Sequence, residues 1–415
     1  MKVAYFSPLP PERSGIADYS ALLLPALERR LDVAVVRRGR RGAPRGTDLA
    51  LYHVGNNPDA HGWIVDALER RRGLVVLHEF VLHHLVAGLT LGRDDKEGYR
   101  RAMQREAGAV GRMLAHGVID GLVPPLWEVR PTDFPLSRPI LARAGGLIVH
   151  SNYVEEQARS AGFVGPIWRI PMPAWPESND EPDRELAGRG SPLIGCVGHL
   201  VPSKRIGQLL TAFARLRETF PTAVLVLAGA ARGVQIESRL EQLRLKRDED
   251  VLVLGHVDEE RLWSVLAACD VCVSLRWPTM GETSGSVIRA LGLGRPLVVS
   301  DVGWFSELPD GVVAKIPVDE SEVEVLTGVL ERLSADPELR ARMSEAAKSF
   351  VREEHGLERV ADLYASACDE YVGGLAVETE LLDDVARASH EVGIGTFDPE
   401  LGETARRMRE SGLVR

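Results

Sequence analysis

The sequence predicts an α/β fold with two doubly wound parallel-sheet domains. Three observations carry that expectation. Short runs of Val, Leu and Ile recur, each followed by a longer stretch of helical period, which is the pattern of strand–helix–strand units. The series occurs twice, on either side of a polar, proline-rich stretch at residues 173–183. The length of 415 residues exceeds what one hydrophobic core supports, about 250–300 residues.

In the first series, strands are expected over residues 3–7, 32–36, 49–53, 74–78, 147–150 and 168–171. Residues 81–144 are too long for a single crossover, and helical periodicity over 99–114 marks them as a helical insertion beside the sheet, a candidate to shape an acceptor site. This gives a first domain over 1–172 and a linker over 173–190. The second domain, 191–355, carries strand runs at 193–197, 223–228, 251–254, 271–275, 297–300 and 312–316. From residue 321 three helices are expected, broken near Asp336 and His355. Residues 356–415 read as C-terminal helices and a charged tail containing Gly393, Gly395 and Pro399. Each series is Rossmann-like, and two such domains facing a cleft bring their strand C-termini and the following helix N-termini to one crevice, where ligands are expected.

Composition narrows the classes. With 45% hydrophobic and 27% charged residues the chain is globular, and a net charge of −10 argues against nucleic acid as a partner. A local exception is the loop with Arg37, Arg38, Arg40, Arg41 and Arg45, a candidate for contact with an anionic lipid surface; a solvated loop is the alternative. Cys196, Cys269, Cys272 and Cys368 are too few for a disulfide framework, and Cys269 and Cys272, though spaced C-x-x-C, have no second Cys or His pair at zinc spacing and read as small core residues, Cys272 within a strand. No secretory leader and no run of eighteen apolar residues is seen, so a cytoplasmic protein is expected, with peripheral contact at the inner membrane face if the arginine loop meets lipid.

Three strand-end loops could carry chemistry. The first, residues 7–19, lacks G-x-G-x-x-G, which counts against a dinucleotide cofactor, yet Gly15 at a helix start could let backbone N–H groups approach a diphosphate; a plain turn explains it equally. In the second, Gly198, His199 and Lys204 lie between a strand and a helix, so a lysine and free N–H donors meet where a leaving phosphate gains charge; an exposed lysine is the alternative. The third holds Glu282, Thr283, Ser284 and Gly285 before an apolar helix. Here a carboxylate can accept from sugar hydroxyls, or Glu282 can simply cap the helix.

These loops, with Asp301, Val302 and Gly303 leading to Glu307, resemble the retaining glycosyltransferases of family 4, which have the GT-B fold. The likeness is weak over 1–170 and good over 190–335. It implies a hexose transferred from a GDP- or UDP-linked donor to a hydroxyl of a sugar, glycolipid or other acceptor, by a mannosyl- or glucosyltransferase, and no Asp-x-Asp cluster stands in a strand-end loop, so no catalytic metal is expected. Lys204 is then similar to the family's diphosphate-binding lysine, and Glu282 to the first glutamate of its paired motif. His78 is similar to its cleft histidine near the anomeric carbon, while His83 and His84 read as structural. The donor-binding set is completed by Gly15, Gly198, His199, Thr283, Ser284, Gly285, Arg289 and Glu307.

Two positions depart from that family. His199 stands where it often has arginine, and the second glutamate is missing whether it is counted seven before Pro296, which gives Arg289, or eight after Glu282, which gives Ala290. Guanidinium has donors only, so Arg289 is expected either to donate to ribose or diphosphate oxygens, or to turn away and pair with an acid such as Glu282 or Glu307. The rival readings are a nucleotide-sugar epimerase of the same fold and a sugar-nucleotide-binding protein that has lost catalysis.

Overall fold

The structure is a computed structural model and describes residues 1–12, 14–40, 42–176, 181–391 and 399–410; Arg13, Arg41, linker residues 177–180, Gly393 and Gly395 lie outside the described residues. The chain forms two compact units, one of Met1–Ile170 with Val360–Arg415, the other of Pro171–Arg359.

In the first unit six parallel strands, β1 (Lys2–Phe6), β2 (Asp32–Val36), β3 (Leu49–Val54), β4 (Leu74–Leu77), β5 (Gly146–Val149) and β6 (Ile167–Arg169), lie in the order β2-β1-β3-β4-β5-β6. The central strands β3, β4 and β5 are buried along their whole length. Helices cover both faces of such a sheet, which is why these runs are continuously apolar and do not alternate. One cluster, with Phe6, Ile64, Val75, Leu82, Leu147 and Val154, forms this core.

The insertion packs its own smaller core around Tyr99, Met103, Ala115 and Leu126. The helix expected over 99–114 is interrupted. Within Lys96–Ile119, Ala107 and Gly108 leave helical geometry, Gly108 at φ +59°, so the chain doubles back and Arg112 reaches Glu97 at 2.9 Å. Only glycine adopts that backbone without strain.

The second unit repeats the plan with β7 (Leu193–Val197), β8 (Val224–Ala228), β9 (Val251–Gly255), β10 (Val271–Ser274), β11 (Leu297–Ser300) and β12 (Ala314–Ile316), ordered β12-β11-β10-β7-β8-β9 and all parallel. Its core joins Ile194, Leu209, Phe213, Leu225, Val273, Val298 and Leu330. The chain leaves β7 toward β8 on one side and later enters β10 on the other, so the order reverses between β7 and β10, the place where doubly wound sheets open a crevice at their carboxyl ends.

Three helices follow, Glu322–Ala335, Pro337–Glu354 and Leu357–Glu391, breaking at Asp336 and His355. The sequence sets residues 356–415 apart as a C-terminal piece, whereas the structure assigns Val360–Arg415 to the first unit. The reason is tertiary: the Tyr364 hydroxyl lies 2.6 Å from that of Tyr19, Trp168 Nε1 donates to Glu370 at 2.7 Å, and Arg30 Nε donates to Asp362 at 2.6 Å.

Candidate functional site

The loops after β7 and β10 converge at the reversal point of the second sheet. After β7 the chain turns at Gly198, passes through a short 3-10 turn, Pro202–Lys204, and enters the helix Ile206–Thr219. Gly198 has φ +95°, a conformation that calls for glycine, and a β-carbon there would sit 2.8 Å from Lys204 Nζ and push the lysine head aside. Lys204 is 5% exposed, and its Nζ donates to the Val197 carbonyl at 2.6 Å. Burial pulls its pKa from 10.5 down to about 8, with Arg276 adding to the fall and Cys196 and Glu282 opposing it. His199, next to the glycine, is exposed, and partial desolvation, then Arg232 and Lys204, hold it below the usual histidine range.

Between β10 and the helix Gly285–Gly292, Glu282 closes its own loop. Its Oε2 accepts from the Met280 N–H at 2.7 Å and from the Thr279 hydroxyl at 3.2 Å, while Oε1 pairs with Arg276 Nε at 2.8 Å. Capping of the helix falls to Ser284, whose Oγ accepts from the Val287 N–H at 3.4 Å. Glu282 therefore keeps its carboxylate at the strand-end loop. The Thr283 Oγ1 is buried with no hydrogen-bond partner among the described residues. Gly303, at φ +54° after β11, is packed so closely that a β-carbon would meet the Thr279 side chain at 3.0 Å. Glu307 ends the single-turn helix Trp304–Glu307 beyond it.

Gly198, Lys204 and Glu282 thus come together, and Gly285 heads the adjoining helix. Arg289 takes different partners from either acid weighed for it. Its Nη2 donates to Glu259 at 2.8 Å, and its guanidinium lies 3.5 Å above the Trp175 ring and 5.8 Å from that of Trp263. It also nears the start of its helix, since a β-carbon on Gly285 would meet Nη1 at 3.1 Å.

In the first unit the opening loop ends at Ser14, whose Oγ accepts from the Ala17 N–H at 3.0 Å and caps the helix Gly15–Glu28. Gly15 has open space where a side chain would project. His78 directly follows β4, one residue beyond the strand end and half-buried. His53 in β3 and His150 just after β5 flank it, with ring centroids 5.3 and 5.1 Å away. His83 is buried within the insertion, its Nε2 2.9 Å from the Tyr99 hydroxyl, which is a packing role. Among the described residues no three His, Cys, Asp or Glu side chains are grouped to hold a metal ion, the histidine cluster included.

Residues 178–350, within the second unit, match the family model of glycosyl transferases group 1. That stretch of the second unit is similar to the group 1 glycosyltransferases. Relatives of this chain include a GDP-mannose-dependent monoacylated alpha-(1-6)-phosphatidylinositol monomannoside mannosyltransferase of Corynebacterium glutamicum, 27% identical over 55% of this chain and 63% of the relative. A GDP-mannose-dependent alpha-(1-6)-phosphatidylinositol monomannoside mannosyltransferase of Mycolicibacterium smegmatis is 25% identical over 82% of this chain and 91% of its own length. The chain spans about three fifths of the Corynebacterium relative and 61% of an uncharacterized glycosyltransferase, YqgM, from Bacillus subtilis. Among solved structures, a sucrose-phosphate synthase from Thermosynechococcus elongatus superposes with a TM-score of 0.62 at 17% identity, covering 89% of this chain and 98% of that one. HepE of Anabaena, solved with UDP-glucose, gives 0.58 at 15% identity over 89% and 100%. These likenesses show the GT-B fold.

Sequence reasoning missed two features of the second unit. Arg276, the second residue after β10, pairs with Glu282 and lowers the Lys204 pKa; an arginine directly after a strand end was the available signal. Trp175, in the proline-rich segment, is the face on which Arg289 stacks, and nothing in its local sequence marks it.

Proposed function

We propose that this protein is a group 1 glycosyltransferase, a retaining, metal-independent hexosyltransferase that uses a nucleoside diphosphate sugar and a hydroxyl acceptor. The observation that carries the reading is the buried Lys204 beneath Gly198, opposite Glu282, at the reversal point of the second sheet. A cation kept in a desolvated position is costly in the empty protein and gains most from a diphosphate. In the reaction the bond from the anomeric carbon to the phosphate oxygen breaks, and the diphosphate takes the electron pair. The acceptor oxygen bonds to the same face of the sugar and its proton passes to the departing phosphate oxygen. Lys204 stabilises the charge that grows there, and the Glu282 carboxylate accepts from sugar hydroxyls.

GDP-mannose is the first donor to test, because two relatives are named for it, and UDP-glucose the second. Both of those relatives are named for lipid acceptors, and Arg37, Arg38, Arg40 and Arg45 are exposed on the first unit. A glycolipid acceptor reached by peripheral contact with an anionic membrane face fits both facts. Among the described residues no helix is long and apolar enough to cross a membrane.

The deciding experiment incubates each donor with and without phosphatidylinositol mannosides and follows release of nucleoside diphosphate and the anomeric configuration of the product. Acceptor-dependent release with retention supports the reading. Conversion of donor without acceptor favours an epimerase. Binding without turnover favours a sugar-nucleotide-binding protein, the reading that Arg289 in place of a carboxylate would suit.

A further inference from the structure

Four histidines and three tyrosines are packed together in the first unit, and of these the family resemblance gives a role only to His78. His53, in β3, is fully buried, and its Nδ1 lies 3.0 Å from His78 Nε2. Tyr5 packs against the His53 ring at 4.6 Å between centroids. Tyr19 meets His78 edge-on at 4.8 Å and is tied through its hydroxyl to Tyr364. His61 Nδ1 is 3.1 Å from the His53 carbonyl, and His150 Nδ1 is 2.8 Å from the Ile170 carbonyl, so each of these rings donates from Nδ1. His53 Nε2 is buried with no hydrogen-bond partner among the described residues.

One proton lies between the two facing nitrogens. Burial, reinforced by the neighbouring histidines, holds both rings well below the usual histidine range, so both are neutral and one must donate to the other. If His78 donates from Nε2, then His53 accepts at Nδ1 and carries its own proton on Nε2, as a buried N–H with nothing to receive it. If His53 donates from Nδ1, its Nε2 is merely an unused lone pair. A buried orphan donor is the costlier and rarer arrangement.

We propose that His53 is a positioning residue that donates from Nδ1 to His78 Nε2 and so fixes His78 as its Nδ1–H tautomer, presenting a hydrogen-bond donor to the sugar substrates and no basic lone pair. Among the described residues no hydrogen bond is made at His78 Nδ1, which leaves that N–H for a substrate oxygen. In this state His78 cannot take the acceptor's proton, which leaves that task to the departing phosphate. The inference rests on the transferase reading for what His78 faces, but the tautomer itself is a property of the ligand-free protein.

Long-range 1H–15N NMR of the full chain labelled with 15N-histidine reports which ring nitrogen is protonated, with the His78 signals assigned by their loss in His78→Asn. The wild type is expected to carry the His78 proton on Nδ1. His53→Leu should move it to Nε2 or to an exchanging mixture, and lower kcat with little change in KM for the nucleotide sugar. His53→Asn, whose amide can donate from nearly the same position, should restore the Nδ1–H pattern. A wild-type His78 protonated at Nε2, or an unchanged pattern in folded His53→Leu, overturns the proposal; if that variant does not fold, the wild-type spectrum alone decides. An Nδ1–H His78 in a protein that transfers no sugar would count against the transferase reading and leave the tautomer standing.

Discussion

Lys204 gives nucleotide binding a specific pH dependence. With its pKa at about 8 in the empty protein, the ammonium is about nine-tenths charged at pH 7 and about one-tenth charged at pH 9. A bound diphosphate restores the charge, so binding above pH 8 must take up a proton, and the Kd for GDP or UDP should weaken about tenfold per pH unit there while staying flat near pH 7. The sign for stability follows from the same numbers. Between about 8 and 10.5 the unfolded chain holds the proton that the folded chain has lost, so the ligand-free protein should gain stability as pH rises through that window, by about 3 kcal/mol. Below pH 8 that stabilisation is absent, and Lys204→Met should be the more stable protein at pH 7 although it binds nucleotide poorly. Isothermal titration at pH 6.5 to 9.5, in buffers of different ionisation enthalpy, measures both the Kd and the proton uptake. Lys204→Arg, which keeps its charge across that range, separates this effect from ionisation of the base. A Kd as flat in the wild type as in Lys204→Arg, with no proton uptake at pH 9, would refute the reasoning.

Glu282→Gln should cut donor turnover sharply with a smaller loss of nucleotide affinity, because the carboxylate that accepts from sugar hydroxyls is gone while Lys204 remains; single-turnover kinetics beside titration reads the split. Arg289→Ala removes the stack on Trp175 and the pair with Glu259, so unfolding should cost about 1–2 kcal/mol less and Trp175 fluorescence should change. If Arg289 also serves the diphosphate, nucleoside diphosphate affinity falls more than nucleoside affinity in the same variant. Acid should weaken the first unit: His61 is lowered from 6.5 to about 4, mainly by burial, and His53 and His78 fall well below the usual range. As pH drops below 6.5 the unfolded chain takes up protons that the folded one refuses, so stability falls by about 1.4 kcal/mol per pH unit per histidine, visible as a lower melting temperature at pH 5 than at pH 7.

The strands were legible because burial on both faces leaves little but Val, Leu and Ile in them, and each expected run holds a strand within one or two residues of its ends. The turn at Gly198 was legible for a local reason, a glycine after a strand with a lysine before the next helix. Arg289 was not. Its partners Glu259 and Trp175 are brought to it by packing, and spacing along its own helix pointed only to nearer acids. The doubling back at Ala107 and Gly108 was hidden because apolar residues on either side keep a helical period whether or not the helix is continuous. The Arg276–Glu282 pair lies within one loop, where sequence shows that the charges are near each other but not which one closes the turn.

The first unit is not a single stretch of chain, and that has a consequence for how the protein is made. Its last strand ends at Arg169, yet the acceptor for Trp168 comes 202 residues later, and the hydroxyl that meets Tyr19 comes 345 residues later. The second unit, Pro171–Arg359, is continuous. On a ribosome the chain emerges from its N-terminus, so the unit begun first is finished last. A nascent chain halted before Val360 would carry a complete second unit and a first sheet whose histidine cluster still awaits Tyr364.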